Sequence, residues 1–143
     1  MEYRKGSHTV YNLEYHFVWV TWYRYHVLTG DIKIRVRELI RQVCQQHDIN
    51  ILKGHVSKDH VHILVSSPPH LSVSQMIQKI KGRSSYKIQQ EYPRLRKRYW
   101  GRHIWARGYF AVTVGQMTDE MVRNYIEGHI EKSPDETFTV GHD

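Results

Sequence analysis

Two histidines separated by one residue stand out in this sequence because of the chemistry they could share. His60 and His62 flank Val61 in a segment of alternating apolar residues. If the segment is a strand, its two-residue repeat points both imidazoles to one face, where they could bind a divalent metal ion. They could equally be polar residues on a half-exposed sheet face. Asp59 next to them could orient a ligand or simply form a hairpin turn.

A tyrosine and a third histidine near the C-terminus form a second candidate group. Tyr125 and His129 are four residues apart, so a helix would place them on one face. An apolar stripe of Val122, Ile126 and Ile130 would let that helix pack on a sheet while the phenol and the imidazole reach a shared cleft. Alternatively, both polar residues belong to the edge of the core.

Together these side chains suffice for transesterification of a phosphodiester. A bound metal ion would polarise the scissile phosphate, and a tyrosine oxygen could attack it to form a covalent intermediate. A phenol with an ordinary pKa of about 10 needs activation by the metal or by a base, which the sequence does not identify. Lys and Arg outnumber Asp and Glu by 21 to 14, and this excess favours a polyanionic partner.

Basic and aromatic residues in the second half of the chain predict a DNA-binding surface. The candidate DNA-contact residues are Lys79, Arg83, Lys87, Arg94, Arg96, Lys97, Arg98 and Arg102. Four aromatic residues could stack on unpaired bases, although most tryptophans are core residues. These are Tyr99, Trp100, Trp105 and Tyr109.

The periodicity of apolar residues predicts the elements that must position these side chains. Alternating apolar and polar residues indicate strands, whereas apolar residues every three or four positions indicate amphipathic helices. The predicted elements are a strand at 11–21, a helix at 32–46, a hairpin of strands at 49–56 and 60–66, a helix at 73–88 capped by Ser72, a strand at 109–114, and a helix at 119–131 capped by Thr118.

This order predicts an α+β protein with a ferredoxin-like split βαβ fold. We expect an antiparallel sheet with helices on one face, followed by a C-terminal helix that carries Tyr125. Residues 1–143 are expected to form one domain, with an ordered core at about 10–132 and a loose tail at 133–143. This fold hosts many activities, so function depends on the site.

Composition restricts the setting of the protein. The sequence has no apolar run long enough for a membrane span, and residues 1–6 lack the apolar region of a signal peptide. The single cysteine, Cys44, cannot form an internal disulfide and fits a reducing compartment. We therefore expect a cytoplasmic protein.

Four stretches, in order, resemble one known family. Residues 59–64, Asp-His-Val-His-Ile-Leu, resemble the HUH signature, in which two histidines flank a bulky apolar residue. The other three stretches that match the family are residues 15–21 followed by Tyr23-Arg24, residues 108–115, and residues 125–127. From about residue 10 to residue 132, the chain is similar to the insertion-sequence HUH transposases that have a single catalytic tyrosine. This family is the transposase A of small single-strand-transposing elements.

The resemblance implies a specific activity. Such proteins are ferredoxin-like homodimers that bind Mg or Mn, recognise hairpins in single-stranded DNA at transposon ends, and leave a 5′-phosphotyrosine and a 3′-OH. It implies Tyr125 as nucleophile, with His60 and His62 as metal ligands. It also implies active sites shared between subunits, with each tyrosine helix serving the partner. The family's third ligand is a glutamine, but here that position is His129, so we expect Mn to be favoured over Mg.

Two other functions remain open from the residues alone. A ferredoxin-like fold with basic and aromatic residues is also typical of nucleic-acid-binding modules without catalysis. Three histidines could instead form a metal hydrolase that uses an activated water. Labelled DNA distinguishes these functions, because they yield a covalent protein–DNA adduct, binding alone, or cleavage without an adduct.

Overall fold

The predicted α+β architecture is found in the structure, a computed structural model that describes residues 3–6, 8–114 and 119–128. All the predicted strands and helices are present in the predicted order. The strands are β1 (Arg4–Lys5), β2 (Val10–Tyr11), β3 (Glu14–Val20), β4 (Asn50–Val56), β5 (His60–Ser66) and β6 (Phe110–Thr113). The helices are α1 (Gly30–Gln46), α2 (Val73–Glu91), α3 (Pro93–Arg98) and α4 (Asp119–Glu127).

A four-stranded antiparallel sheet organises the molecule. Its strand order is β4-β5-β3-β6, so β3 and β5 are the central strands. The predicted hairpin joins β4 to β5 through a short turn at residues 57–59. Across the centre, His62 lies opposite Val18 and His60 lies opposite Val20. Directly opposed residues share a sheet face, so the register places all four side chains on one face.

The opposite face of the sheet forms the hydrophobic core. Phe17 and Trp19 of β3 and Val61 of β5 are fully buried there, and each alternates with a residue of the histidine face. Helices α1 and α2 cover this face. Their buried core residues include Ile32, Val36, Leu39, Ile40, Val43, Met76, Ile77, Ile80 and Ile88. The helical spacing of these residues explains why both helices form amphipathic layers.

Local hydrogen bonds begin and anchor helix α2. The Ser72 hydroxyl accepts from the Gln75 backbone N–H at 3.1 Å, and the Gln75 side chain accepts from the Ser72 N–H at 2.8 Å. This capping box confirms the predicted start of the helix. Further along, the buried Ser84 hydroxyl accepts from the Trp105 indole N–H at 3.0 Å. The small residues inside α2 therefore bring the loop before β6 close to the helix.

Helix α4 packs against the histidine face. The Tyr125 ring lies 5.7 Å from that of Phe110, measured between centroids. Phe110 is opposite Val18 in the β3–β6 pairing, and Val18 is opposite His62 in the β3–β5 pairing. The helix with the candidate nucleophile is therefore on the same side of the sheet as the candidate metal ligands.

The structure differs from the sequence prediction at the N-terminus and in the basic segment. The predicted strand at 11–21 is divided, because β2 pairs with β1 while β3 starts at Glu14. The basic segment forms the short helix α3, with Pro93 at its first position, where a missing N–H costs nothing. Thr118, His129 and the tail at 133–143 lie outside the described residues. None of the described helices is long and apolar enough to span a membrane.

Candidate functional site

A buried carboxylate holds the first histidine of the pair. The Nδ1 atom of His60 lies 2.8 Å from Oδ1 of Asp59, whose residue surface is only 4% exposed. Burial alone would raise the pKa of Asp59, but hydrogen bonds from His60 and Arg24 hold it below its usual range. The carboxylate is therefore ionised and accepts the Nδ1 proton. This arrangement leaves Nε2 of His60 available to a ligand, as in carboxylate–histidine–metal groups.

The imidazole of His16 contacts His62, the second histidine of the pair. The sequence did not suggest His16 as a site residue. Nδ1 of His16 lies 3.2 Å from Nε2 of His62, and their ring planes are tilted by 47°. Burial lowers the pKa of His62, and the neighbouring His16 lowers it further. Burial also lowers the pKa of His16. Both imidazoles therefore favour the neutral form, which is the form that binds metals.

Neutral imidazoles are common ligands of divalent transition metals. His60 and His62 lie on the same face of β5, and the 3.2 Å contact of His62 with His16 is at hydrogen-bond distance. Within residues 3–6, 8–114 and 119–128, no group of three His, Cys, Asp or Glu side chains is already gathered around a common point. Water and a DNA phosphate would complete the coordination, and the predicted ligand His129 lies outside the described residues.

The candidate nucleophile is half-buried on helix α4. Tyr125 packs against Phe110 with an angle of 39° between the ring planes. The structure thus brings Tyr125 to the sheet face that carries His60 and His62, as the sequence suggested.

Arg24 joins the two halves of this site, and sequence reasoning assigned it no role. Its guanidinium donates to Oδ2 of Asp59 from Nε at 3.0 Å and from Nη2 at 2.8 Å. Its Nη1 donates to the backbone oxygen of Ile126 in α4 at 3.3 Å. The Tyr23-Arg24 pair was part of the family resemblance, which is the one signal that could have drawn attention to it.

Most of the candidate DNA-contact residues face solvent. Seven of the eight are exposed, and Lys87 is half-buried. The Arg98 guanidinium lies 3.9 Å from the centre of the Tyr25 ring, and that of Arg102 lies 6.0 Å from the centre of a Trp22 ring. The neighbouring Lys81 instead donates to two backbone oxygens at 2.8 Å.

Two of the four aromatic residues suggested for base stacking are core residues. Tyr99 is completely buried and Trp105 is 4% exposed, so neither has a face available to a base. Their suggested stacking role is wrong, because both lie inside the hydrophobic core cluster. Tyr109 is partly buried against the same cluster. Trp100, in contrast, is 58% exposed and remains a candidate for stacking.

Comparison with known proteins identifies close relatives along nearly the whole chain. The family described as IS200-like transposases matches residues 9–129. The ISDra2 transposase TnpA of Deinococcus radiodurans is 32% identical over 132 residues, which are 92% of this chain and 94% of the relative. The transposase for insertion sequence element IS200 of Salmonella typhimurium is 32% identical over 126 residues, which are 88% and 82%.

Solved structures have the same architecture. A crystal structure of a Deinococcus radiodurans R1 transposase superposes with a TM-score of 0.84 at 29% identity, covering 90% of this chain and 99% of that one. A REP-associated tyrosine transposase bound to a REP hairpin superposes with a TM-score of 0.57 at 17% identity, covering 89% and 72%. The second likeness concerns the fold alone.

Proposed function

The chain belongs to the IS200-like transposase family, so it is a DNA transposase of the single-tyrosine HUH type, and we propose that it cuts and rejoins single-stranded DNA through Tyr125. The proposed substrate is the hairpin-bearing end of a mobile element. The observation that carries the proposal is the placement of Tyr125 on the sheet face of His60 and His62. This arrangement supports the proposal, because the proposed nucleophile and the two proposed metal ligands lie on one side of the sheet.

The proposed cleavage step is an in-line transesterification. The Tyr125 oxygen attacks the scissile phosphorus, an O–P bond forms, and the bond to the 3′-oxygen breaks. The 3′-oxygen leaves with the electron pair and takes up a proton, while the phenol proton passes to solvent or to a base. The products are a 5′-phosphotyrosine and a 3′-OH. In the rejoining step a 3′-OH attacks the phosphotyrosine, and the released tyrosinate regains a proton.

His60 and His62 are the proposed ligands of a divalent ion, Mg or Mn, as this family generally uses. When bound, the ion would offset the charge that develops on the phosphate. Asp59 supports this role by holding His60 with Nε2 outward. His129 is the proposed third ligand. An imidazole at that position favours Mn, because Mg prefers oxygen ligands and retains its waters.

The proposed active form is a homodimer in which each tyrosine helix serves the histidines of the other subunit. This part rests on the family resemblance. In the single chain, α4 contacts its own sheet. A mixture of Tyr125→Phe with a His60→Ala, His62→Ala variant tests it, because a shared arrangement creates one composite site with all intact groups. Confirmed heterodimers without restored cleavage would place the tyrosine in its own subunit.

Labelled DNA and the variant Tyr125→Phe test the proposed chemistry directly. Oligonucleotides that carry the hairpins flanking the gene are incubated with protein and Mn, and covalent adducts are separated on denaturing gels. We expect the wild type to form an adduct and Tyr125→Phe to bind DNA without cutting it, since only the phenol oxygen is lost. Tyr86→Phe, at a 58% exposed tyrosine of α2, is the matched control and is expected to react normally.

The same gels distinguish the other candidate functions. Cleavage without an adduct in the wild type would indicate a hydrolase that uses activated water. Binding without cleavage would indicate a module that only binds nucleic acid. An adduct that persists in Tyr125→Phe would move the nucleophile to another tyrosine.

A further inference from the structure

We propose that a pocket between helix α2 and the loop after α3 binds an unpaired nucleobase from the single-stranded part of the DNA substrate. This inference rests on the proposed function for the substrate class and names a place on the protein that holds it. The pocket, called the base pocket below, has a volume of about 460 Å³, and its lining includes Trp22, Gly82, Gly101 and Arg102. Pockets of this size bind small ligands, so a base with its sugar fits.

Gly82 leaves open space at the α2 side of the base pocket. It lies in the middle of α2, where glycine is less favourable than alanine. A Cβ added at this position would meet no heavy atom within 4 Å, apart from the backbone of its own helix turn. Packing within the described chain therefore does not require a glycine here. Glycine is typical of places where the backbone is closely approached by a ligand.

The loop after α3 forms the opposite side of the base pocket and is held next to α2. Trp100 has φ 54° and Gly101 has φ 75°, both in the left-handed region, so the chain turns sharply here. The Arg102 N–H donates to the Tyr99 oxygen at 2.9 Å, and the Arg102 oxygen accepts from the Gln89 side chain of α2. These bonds keep the loop in place, so the space between loop and helix is present before DNA binds.

An aromatic ring and a loosely held cation stand together at the base pocket. The Arg102 guanidinium lies 6.0 Å from the centre of a Trp22 ring, which is near the outer limit of a cation–π contact. No carboxylate in the described part of the chain forms an ion pair with this guanidinium. Arg102 can therefore move aside, so that a base stacks on Trp22 while the guanidinium pairs with an adjacent phosphate.

The charge around the base pocket suits a nucleotide. Arg102 and His103 line it, and none of the described lining residues is acidic. Arg83 follows Gly82 and is exposed on α2. Each nucleotide carries a negative phosphate, so cations beside an aromatic face provide both groups that bind single-stranded nucleic acid. Paired bases in a duplex have no free face for such stacking, and the base pocket is therefore assigned to an unpaired base.

The base pocket lies at the end of the sheet where the strand of the proposed metal ligands begins. Trp22 follows Thr21, whose N–H donates at 2.9 Å to the backbone oxygen of Asp59, immediately before β5. The Tyr23 ring stacks on Trp22 with 5.4 Å between centroids, and it meets the exposed Trp100 edge-on at 6.3 Å. These rings form an aromatic surface between the two sites, along which a single strand can run.

Gly82→Leu is the direct test, with Gln42→Leu as the matched control. Leucine fills the open space at Gly82 and favours a helix more than glycine does, so the fold should not weaken, which urea unfolding curves check. Gln42 is exposed on α1, outside the base pocket. Fluorescence anisotropy without metal measures the binding of an oligothymidine of about 12 nucleotides. We expect Gly82→Leu to bind it about 10-fold more weakly and Gln42→Leu to stay within about twofold of the wild type.

Two further probes separate contacts to the base from contacts to phosphates. A strand of the same length without bases keeps the phosphates, and the wild type should bind it about 10-fold more weakly than oligothymidine. A blunt DNA duplex has no unpaired bases, so Gly82→Leu and the wild type should bind it equally. Arg102→Gln should reduce the salt dependence of oligothymidine binding by about one phosphate contact, whereas Gly82→Leu should leave that dependence unchanged.

Three results would overturn the proposal. These are equal oligothymidine affinities for Gly82→Leu and the wild type, equal wild-type affinities for strands with and without bases, and a loss of duplex binding in Gly82→Leu as large as its loss of oligothymidine binding. All of these measurements are made without cleavage. If the wild type formed no covalent adduct with hairpin DNA, the proposed chemistry at Tyr125 would fail, and the oligothymidine affinities would still decide whether the pocket holds a base.

Discussion

The two faces of the central sheet are formed by the same strands but have different roles. On one face, Phe17, Trp19 and Val61 are completely buried against α1 and α2. On the other, His16 and His62 approach each other with ring nitrogens 3.2 Å apart and remain half-buried. Because side chains alternate along a strand, residues adjacent in sequence belong to opposite faces. Stability and chemistry can therefore be changed separately by mutating neighbouring residues.

The largest expected effect comes from removing either of the proposed metal ligands. His60→Ala or His62→Ala should abolish detectable metal-dependent cleavage, since each takes away one of about three protein ligands. The free energy of unfolding should change by less than about 1 kcal/mol for His62→Ala, and should fall by about 1 to 2 kcal/mol for His60→Ala, which leaves Oδ1 of the buried Asp59 without its hydrogen bond. Cleavage rates with added Mn and urea unfolding curves measure the two effects. Wild-type cleavage in the presence of a strong chelator would contradict a metal role.

The residue between the two histidines should show the reverse behaviour. Val61→Ala shortens a completely buried side chain, and we expect it to lower the free energy of unfolding by about 2 kcal/mol. Cleavage by the folded fraction should stay near the wild-type rate, measured well below the unfolding temperature. A large loss of activity in the folded variant would mean that the two faces are not separable.

The sequence predicted what depends on local periodicity. Alternation in β3 and β5 predicted which residues face the core, and the spacing of Ile77, Ile80 and Ile88 predicted the inner face of α2. The shared face of His60 and His62 follows from the same two-residue repeat. These features depend only on the geometry of one strand or helix, so they can be predicted from the sequence alone.

Features that depend on contacts between distant segments could not be predicted. The His16–His62 contact spans 46 positions and depends on the register of β3 against β5. The Arg24–Ile126 contact spans 102 positions and joins segments that are far apart in the sequence. Burial of Trp105 depends on the loop before β6 folding onto α2, and Tyr99 packs against the distant Tyr25. No local pattern indicates either contact.

His129, a proposed metal ligand, offers a test of intermediate size. If this residue is the third ligand, His129→Gln replaces an imidazole with an amide oxygen, and we expect the ratio of cleavage rates with Mg to those with Mn to rise about tenfold. Zn affinity should fall as well. Titration of cleavage against Mg, Mn and Zn, with unfolding curves as a control, measures the change. Identical profiles for the variant and the wild type would remove His129 from the site.

A smaller effect is expected from a polar group on the core side. The buried Ser84 hydroxyl donates to Ile80 at 2.7 Å and accepts from the Trp105 indole at 3.0 Å. Ser84→Ala leaves that indole N–H without its acceptor, and we expect the free energy of unfolding to fall by about 1 kcal/mol, partly offset by the better helix propensity of alanine. Ser74→Ala, at an exposed position of the same helix, is the control. Equal stabilities for the two variants would show that this buried hydrogen bond contributes nothing.

The smallest expected effect is a pH dependence that belongs to the histidine face. Burial lowers the pKa of His62 and of His16, so both should protonate below the ordinary value of about 6.5 in the metal-free protein. The unfolded chain then binds more protons than the folded chain in this range. The free energy of unfolding should therefore fall as the pH drops from about 6.5 through the folded-state pKa values.

Nuclear magnetic resonance titration of the imidazole protons measures these pKa values directly. Unfolding curves of His62→Gln and His16→Gln at several pH values isolate each contribution, and both variants should lose part of the slope below neutral pH. Val61→Ala should keep the full slope, because it lowers stability without removing a titrating group. A pKa for His62 at or above 6.5 would mean that solvent reaches this imidazole in the metal-free protein and that burial does not keep it neutral.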